Sequence, residues 1–208
     1  MLTAKGTATR QRIVDGAAAE IRAHGATATT LDDVLARTAT SKGQLFHYFP
    51  DGRTQLIAAV AQHEADRVLD DQRPELDQLT SWAAWRAWRD RVVGRYRDQG
   101  QSCPLAVLTS QLGPGSPEHR EVVVGLLRQW QQKIADGIRS MQASGDVAPS
   151  VDADQRAAAL LAGIQGGVMI MLATGEISHL EVALDQGIGA LRGTLAQSGT
   201  PAQSGVRA

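Results

Sequence analysis

The chain has 208 residues with 21 basic and 22 acidic side chains, a net charge of −1 with its five histidines neutral. That length is one large domain or two small ones, and a pI of about 6.5 gives no overall case for a nucleic-acid binder, for which a basic domain is expected. A single cysteine, Cys103, excludes an internal disulfide framework and a cysteine-based zinc site.

The other bulk properties are those of a soluble protein, with 43% hydrophobic residues to supply a core and a mean hydropathy of −0.19. Met1 to Ala8 holds no apolar run, so no secretory signal is expected and the cytoplasm is the default location. The charge is uneven: residues 1–60 carry a net +2 and residues 61–208 a net −3. Lys5, Arg10 and Arg12 have no acidic neighbour within the first 12 residues, which marks the N-terminal part as the place to look for an anionic partner.

Thirty-two alanines and the scarcity of Val, Ile and Thr in alternation predict helix throughout. The first helix is expected from about Thr9 to His24, with Ile13, Ala17 and Ile21 on one stripe and Gly25 as its C-cap. Thr30 opens a short helix, since Thr30-x-x-Asp33 reads as a capping box, and Leu31, Val34 and Leu35 face inward. Ser41 opens another, with Gln44 at its third helical position, and Pro50 stops it. Helices of about two turns are not stable alone, so both must pack on the first.

After an Asp51-Gly52 turn, a long helix is expected from Thr54 to about Arg73, and another from about Leu76 to Asp98 with Trp82, Trp85 and Trp88 recurring every third residue. Cys103-Pro104 opens a short helix to Leu112, and Gly113 to Pro117 is a loop. Helices follow at about Glu118–Ser144, Asp152–Thr174 and Ser178–Ala196, and the small, polar tail from Ser198 is expected to be disordered. Ala157 to Gly175 runs without a charge for a length close to a membrane span. A helix apolar all round is buried in lipid or in protein; burial in protein, at a subunit interface and not in a membrane, is the reading taken.

Two short helices joined by a tight turn behind a longer one have the outline of a helix-turn-helix, whose second helix presents its first residues to base edges in the major groove. Those positions are Thr40, Ser41, Lys42 and Gln44, all able to hydrogen-bond, with Gly43 allowing close approach. His47 and Tyr48 can donate toward phosphates, and Leu45, Phe46 and Phe49 supply the apolar side. A glutamine at position 44 can pair bidentately with adenine.

The string from Arg12 to Leu56 resembles the N-terminal signature of the TetR family of one-component transcriptional repressors. Its landmarks are Arg12 and Ala18, Gly25, Thr29-Thr30, Val34 with Ala36-Arg37, and Ser41-Lys42-Gly43-Gln44-Leu45-Phe46-His47-Tyr48-Phe49. Cys103-Pro104-Leu105, the Gly-Pro loop and Gln165-Gly166-Gly167 look like the ligand-binding and dimerisation half of that family. The resemblance implies an all-α fold of about nine helices: a helix-turn-helix DNA-binding domain at 1–53, a helical ligand-binding and dimerisation domain at 54–197, and a tail at 198–208. It makes Thr30 a cap and phosphate contact, places Thr40, Ser41, Lys42 and Gln44 on the recognition helix, and sets His47 and Tyr48 against base edges or backbone. Arg53 replaces the lysine that usually opens the fourth helix. The family usually has Gly before an aliphatic residue where this chain has Ala39-Thr40; if that turn needs φ > 0, Ala39 costs roughly 1–2 kcal/mol relative to Gly. The implied partners are a double-stranded DNA operator, a small-molecule effector and a second copy of the chain bound through the last two helices, with no cofactor and no metal.

The tryptophans have two readings, core packing against neighbouring helices and the lining of a cavity for an apolar or aromatic ligand. On the second, Trp85, Trp88, Trp130, Met169 and Gln165 line the site, the last because an amide in an apolar helix needs a partner. Cys103 joins them as a lining residue; a lone cysteine is either a small buried hydrophobe or, at a helix start, a thiol of lowered pKa. The competing class is an enzyme or a small helical ligand-binding protein without DNA binding. Against an enzyme, the chain has no HExxH, GxSxG or phosphate-binding glycine loop, and its histidines lack metal-ligand spacing.

Overall fold

The computed structural model describes residues 3–99 and 117–192. These form eight α-helices and one 3-10 turn, with no strand among the described residues. In chain order they are α1 (Ala4–His24), α2 (Leu31–Thr38), α3 (Lys42–Tyr48), α4 (Arg53–Asp70), the 3-10 turn Glu75–Asp77, α5 (Trp82–Gln99), α6 (Pro117–Ala143), α7 (Ala153–Thr174) and α8 (Ser178–Arg192). The fold is all-helical, as expected. The described residues fall into two compact units: residues 3–71 with 117–129, and residues 72–99 with 130–192.

In the first unit, α1 begins earlier than its apolar pattern predicts, at Ala4 instead of Thr9. Thr3 caps it, its Oγ1 accepting the Gly6 N–H at 3.2 Å. Helices α2 and α4 both pack on α1, around Ile13, Val14, Ala17, Val34, Leu45, Phe49, Leu56 and Val60, all essentially buried. Burial of such side chains stabilises by about 1.5–3 kcal/mol each. This tertiary contribution is what lets helices of eight and seven residues persist. The α1–α2 crossing is tight at Gly16, where an added Cβ would lie 2.1 Å from Thr38 Cγ2.

In the second unit, the helix expected from Leu76 starts only at Trp82. Leu76 lies in the 3-10 turn, and Ser81 Oγ takes the Ala84 N–H at 3.2 Å, setting the start of α5. A local hydroxyl cap outweighed the longer apolar pattern. Helix α7 is capped by Asp152, whose carboxylate accepts the Asp154 and Gln155 N–H groups at 3.0 Å each. It pairs with α8 through Leu160, Ile164 and Val168 on one side and Leu180, Leu184 and Leu191 on the other. At Gly167 the backbones touch: a Cβ there would lie 2.6 Å from Leu180 Cα.

Helix α7 is long and apolar enough to cross a membrane, with mean hydropathy 1.8, and 39% of that stretch is buried. Its other face is apolar as well and stands open: Ala158, Ala162, Gly166, Met169, Ile170 and Ala173 are all exposed. Val182 of α8 is also exposed, at 58%. Cys103 with its expected short helix, the loop 113–116 and the tail from Ser198 lie outside the described residues.

Candidate nucleic-acid interface and the tryptophan cluster

The geometry of α2, the turn and α3 follows from side chains that close hydrogen bonds on their own backbone. At Thr30 the capping box is complete: Thr30 Oγ1 accepts the Asp33 N–H at 3.2 Å, and Asp33 Oδ2 accepts the Thr30 N–H at 2.9 Å. The hydrogen bonds from Thr30 hold the Asp33 carboxyl below its usual pKa. The turn then requires a left-handed residue, and Ala39 supplies it at φ 49° and ψ 44°. A non-glycine residue there is strained by about 1–2 kcal/mol. The helices on either side hold it in place, α2 packed on α1 and α3 anchored by its buried Leu45 and Phe49.

Thr40 belongs to the turn and not to an outward row. It is 6% exposed and its hydroxyl donates to the Thr38 carbonyl at 3.3 Å, so among Thr40, Ser41, Lys42 and Gln44 it is the one that the fold buries. Burial of the residue between two helix ends faces its hydroxyl inward.

Ser41 repeats the capping box for α3. Its Oγ accepts the Gln44 N–H at 3.2 Å, and Gln44 Oε1 accepts the Ser41 N–H at 3.1 Å. Leu45 and Phe49 are fully buried and fix the helix from below, while Ser41, Lys42, Gly43, Gln44, Phe46 and His47 are exposed. Tyr48 is half-buried and meets the His47 ring edge-on, with centroids 4.8 Å apart. Lys42 makes no ion pair among the described residues. Because the Gln44 oxygen is engaged, the amide nitrogen is the group it offers outward; bidentate pairing with adenine would first break the cap.

Arg53 opens α4, and its guanidinium donates to the Ala26 carbonyl, tying this helix start to the α1–α2 loop. Two buried carboxylates escaped the sequence reading. Glu20 of α1 accepts from Arg37 of α2, with His24 Nδ1 at 2.9 Å, and the Arg37 hydrogen bond holds its carboxyl below the usual range. Glu64 of α4 is paired with Arg22 of α1 and lies 3.5 Å from Arg67. Charged residues mid-helix read as solvated faces, and only the crossing of helices makes them partners.

In the second unit Trp85, Trp88 and Trp130 are fully buried, and Trp85 packs edge-on against Trp88 with centroids 5.7 Å apart and planes at 88°. Trp82 stands apart from this pair: it is half-exposed, with the Arg192 guanidinium 4.4 Å from its ring centroid. Gln165 is half-buried. Met169, expected to line the same site, is 54% exposed on the open face of α7; its place in the helical repeat turns it away from the stripe that α8 covers. Among the described residues no group of three His, Cys, Asp or Glu is placed to hold a metal ion.

A compact helix-turn-helix head and a second helical unit with a buried aromatic cluster define a DNA-binding transcriptional regulator, and comparison with known proteins agrees. Residues 13–60 match the family described as bacterial regulatory proteins, tetR family, and residues 76–186 match the tetracyclin repressor-like C-terminal domain. The chain belongs to the TetR family. An uncharacterized HTH-type transcriptional regulator of Mycobacterium tuberculosis (strain H37Rv) is 30% identical over 148 residues, covering 62% of this chain and 71% of the relative. The transcriptional regulator AcuR of Cereibacter sphaeroides is 25% identical over 154 residues, covering 70% and 68%. A TetR transcriptional regulator crystal structure from Chloroflexus aurantiacus superposes with a TM-score of 0.76 at 25% identity, covering 90% of this chain and 96% of that one. SmeT, the repressor of a Stenotrophomonas maltophilia multidrug efflux pump, shares the fold with a TM-score of 0.66 at 20% identity, covering 87% and 89%.

Proposed function

We propose that the chain is a dimeric repressor whose two α3 helices bind a pseudo-palindromic operator and which a small, largely apolar effector releases. The observation that carries this reading is α3 itself. Its inner side chains are fully buried, its start is capped by Ser41 and Gln44, and its outer row of Ser41, Lys42, Gln44 and His47 is exposed. In this reading residues 1–53 are the reader, Tyr48 joins the contact row, and Thr30 and Arg53 flank it at the phosphates. Thr40 serves the turn.

The open apolar face of α7 supports the dimer. A contiguous apolar surface of this kind marks an association site, and its small residues let a partner helix come close. Homodimers are commonly two-fold, so the two readers meet half-sites about one helical turn of DNA apart or a multiple of it. The effector is assigned to residues 54–197, where the buried tryptophans lie, and acts by favouring a conformer in which the readers lose register, with a coupling of ~1–3 kcal/mol. The location that follows is the cytoplasm, and the role is regulatory and not catalytic.

Binding to the chain's own upstream DNA, measured by gel shift across a salt series, tests the assignment. Lys42 makes no ion pair among the described residues, so Lys42→Ala is expected to leave the melting temperature in place, weaken binding about 10-fold and lower the salt slope by about one. Unchanged affinity and slope in that variant would remove Lys42 from the interface.

A further inference from the structure

Helices α5 and α8, both within the unit of residues 72–99 and 130–192, pack along a seam of charged pairs. Arg97 of α5 is bridged to Glu181 of α8. Further back along α5, Arg89 Nε and Nη2 donate to the Asp185 carboxylate at 2.9 and 3.0 Å, and Nη1 reaches Asp90 at 3.2 Å. The next turn breaks the pattern. There an open cavity of about 350 Å³, beside the Arg89 pairs, is lined by Trp82 and Arg86 of α5 and by Ile188, Gly189 and Arg192 of α8. Arg86 and Arg192 are exposed and make no ion pair among the described residues. Where Arg97 and Arg89 each meet an acid from α8, Arg86 meets none. The Arg192 guanidinium is held at the cavity by the Trp82 ring, 4.4 Å from its centroid. Both aspartates of the lining are engaged by Arg89, and three arginines against two aspartates leave the lining one positive charge in excess. Trp82 and Ile188, both half-buried, add an apolar wall. At Gly189 that wall is recessed, since a Cβ there would meet nothing within 4 Å.

We infer that this cavity takes a small organic anion, a carboxylate on a flat apolar body, with the carboxylate at Arg86 and Arg192 and the body against Trp82 and Ile188. The planar guanidinium matches a carboxylate in a two-point, charge-assisted hydrogen bond, and the volume is that of a small-molecule site. The ligand supplies the acid that α8 lacks at this turn. A neutral analogue leaves Arg86 unpaired, and an inorganic anion leaves the apolar wall uncovered. None of the fully buried tryptophans lines the cavity, so the site does not rest on the reading of an apolar effector.

Isothermal titration calorimetry on the full chain tests this with 2-naphthoate, its neutral amide 2-naphthamide, and inorganic phosphate. Naphthoate is expected to bind about 10-fold or more tighter than either. Arg86→Gln is expected to weaken naphthoate about 5-fold or more and leave the melting temperature in place, because Arg86 pairs with no acid of the chain. Gly189→Glu puts the missing acid on α8; it should raise the melting temperature and cut naphthoate binding by a similar factor. Equal binding of acid and amide, or no binding of naphthoate, would overturn the inference, as would binding untouched by both substitutions. Phosphate binding as tightly as naphthoate would overturn it too, by removing the apolar body from recognition. The comparison of the three probes on the unaltered chain stands even if a variant fails to fold.

Discussion

At Gln44 one amide has two duties in the proposed reading. Its oxygen accepts the Ser41 N–H at 3.1 Å and so holds the start of α3, which leaves the nitrogen as the group proposed to meet DNA. Replacement by glutamate separates the two duties. A carboxylate at the third helical position caps at least as well and is favoured by the positive end of the helix, but it cannot donate and it repels phosphates. Gln44→Glu is expected to change stability by no more than about 0.5 kcal/mol while weakening operator binding at least 10-fold. Thermal melting and gel shift on one preparation check both halves; retained DNA binding would confine Gln44 to its cap. The cap was legible in the sequence because Ser-x-x-Gln is a local signal. The engagement of the oxygen was not, since spacing names the residues but not which atom is used.

At the scale of elements, the α1–α2 crossing is set by Gly16 against Thr38. Alanine would gain about 1 kcal/mol of helix propensity at position 16. Its Cβ would meet Thr38 Cγ2 at 2.1 Å, and Thr38 is held by its hydroxyl bond to the Val34 carbonyl at 2.7 Å. Overpacking of this kind costs about 1–3 kcal/mol, so the steric effect wins and Gly16→Ala is expected to destabilise. Serine at position 38 keeps the hydroxyl and removes the offending methyl. Urea unfolding of the two single variants and of Gly16→Ala/Thr38→Ser therefore forms a cycle, in which the double variant should recover most of the loss. Strictly additive effects would mean that the two side chains do not meet. The start of α5 teaches a related lesson: Leu76 and Leu79 fit a helical stripe on paper, but both are buried outside the helix that Ser81 opens.

For the whole molecule, the apolar face of α7 is the strongest statement about assembly. Ala162 sits in the middle of that face and is exposed. Ala162→Arg leaves the α7–α8 core untouched, so it is expected to turn a dimer into a folded monomer, as read by light scattering at micromolar concentration. It should also weaken operator binding by 10²-fold or more, since two linked readers gain about that much over one. A dimer that survives this substitution would place the interface elsewhere.

The sequence by itself determined what is local or periodic: helix throughout, the caps at Thr30 and Ser41, the stop at Pro50, and the buried stripe of Ile13, Ala17 and Ile21 on the first helix, whereas Leu31 and Leu35, expected to face inward, are half-buried. It also carried the family, because the string around Ser41 to Phe49 combines a cap, a buried pair and a polar row in one short stretch. Only the tertiary structure decided which polar groups find partners. Thr40 turned inward, Met169 turned outward, Glu20 and Glu64 met arginines on other helices, and Trp88 was paired while Trp85 and Trp130 were left with free donors. The reason is physical. A cap or an apolar stripe is settled by atoms within about one helical turn, whereas the pairing of a buried polar atom depends on which helix crosses it and at what rotation.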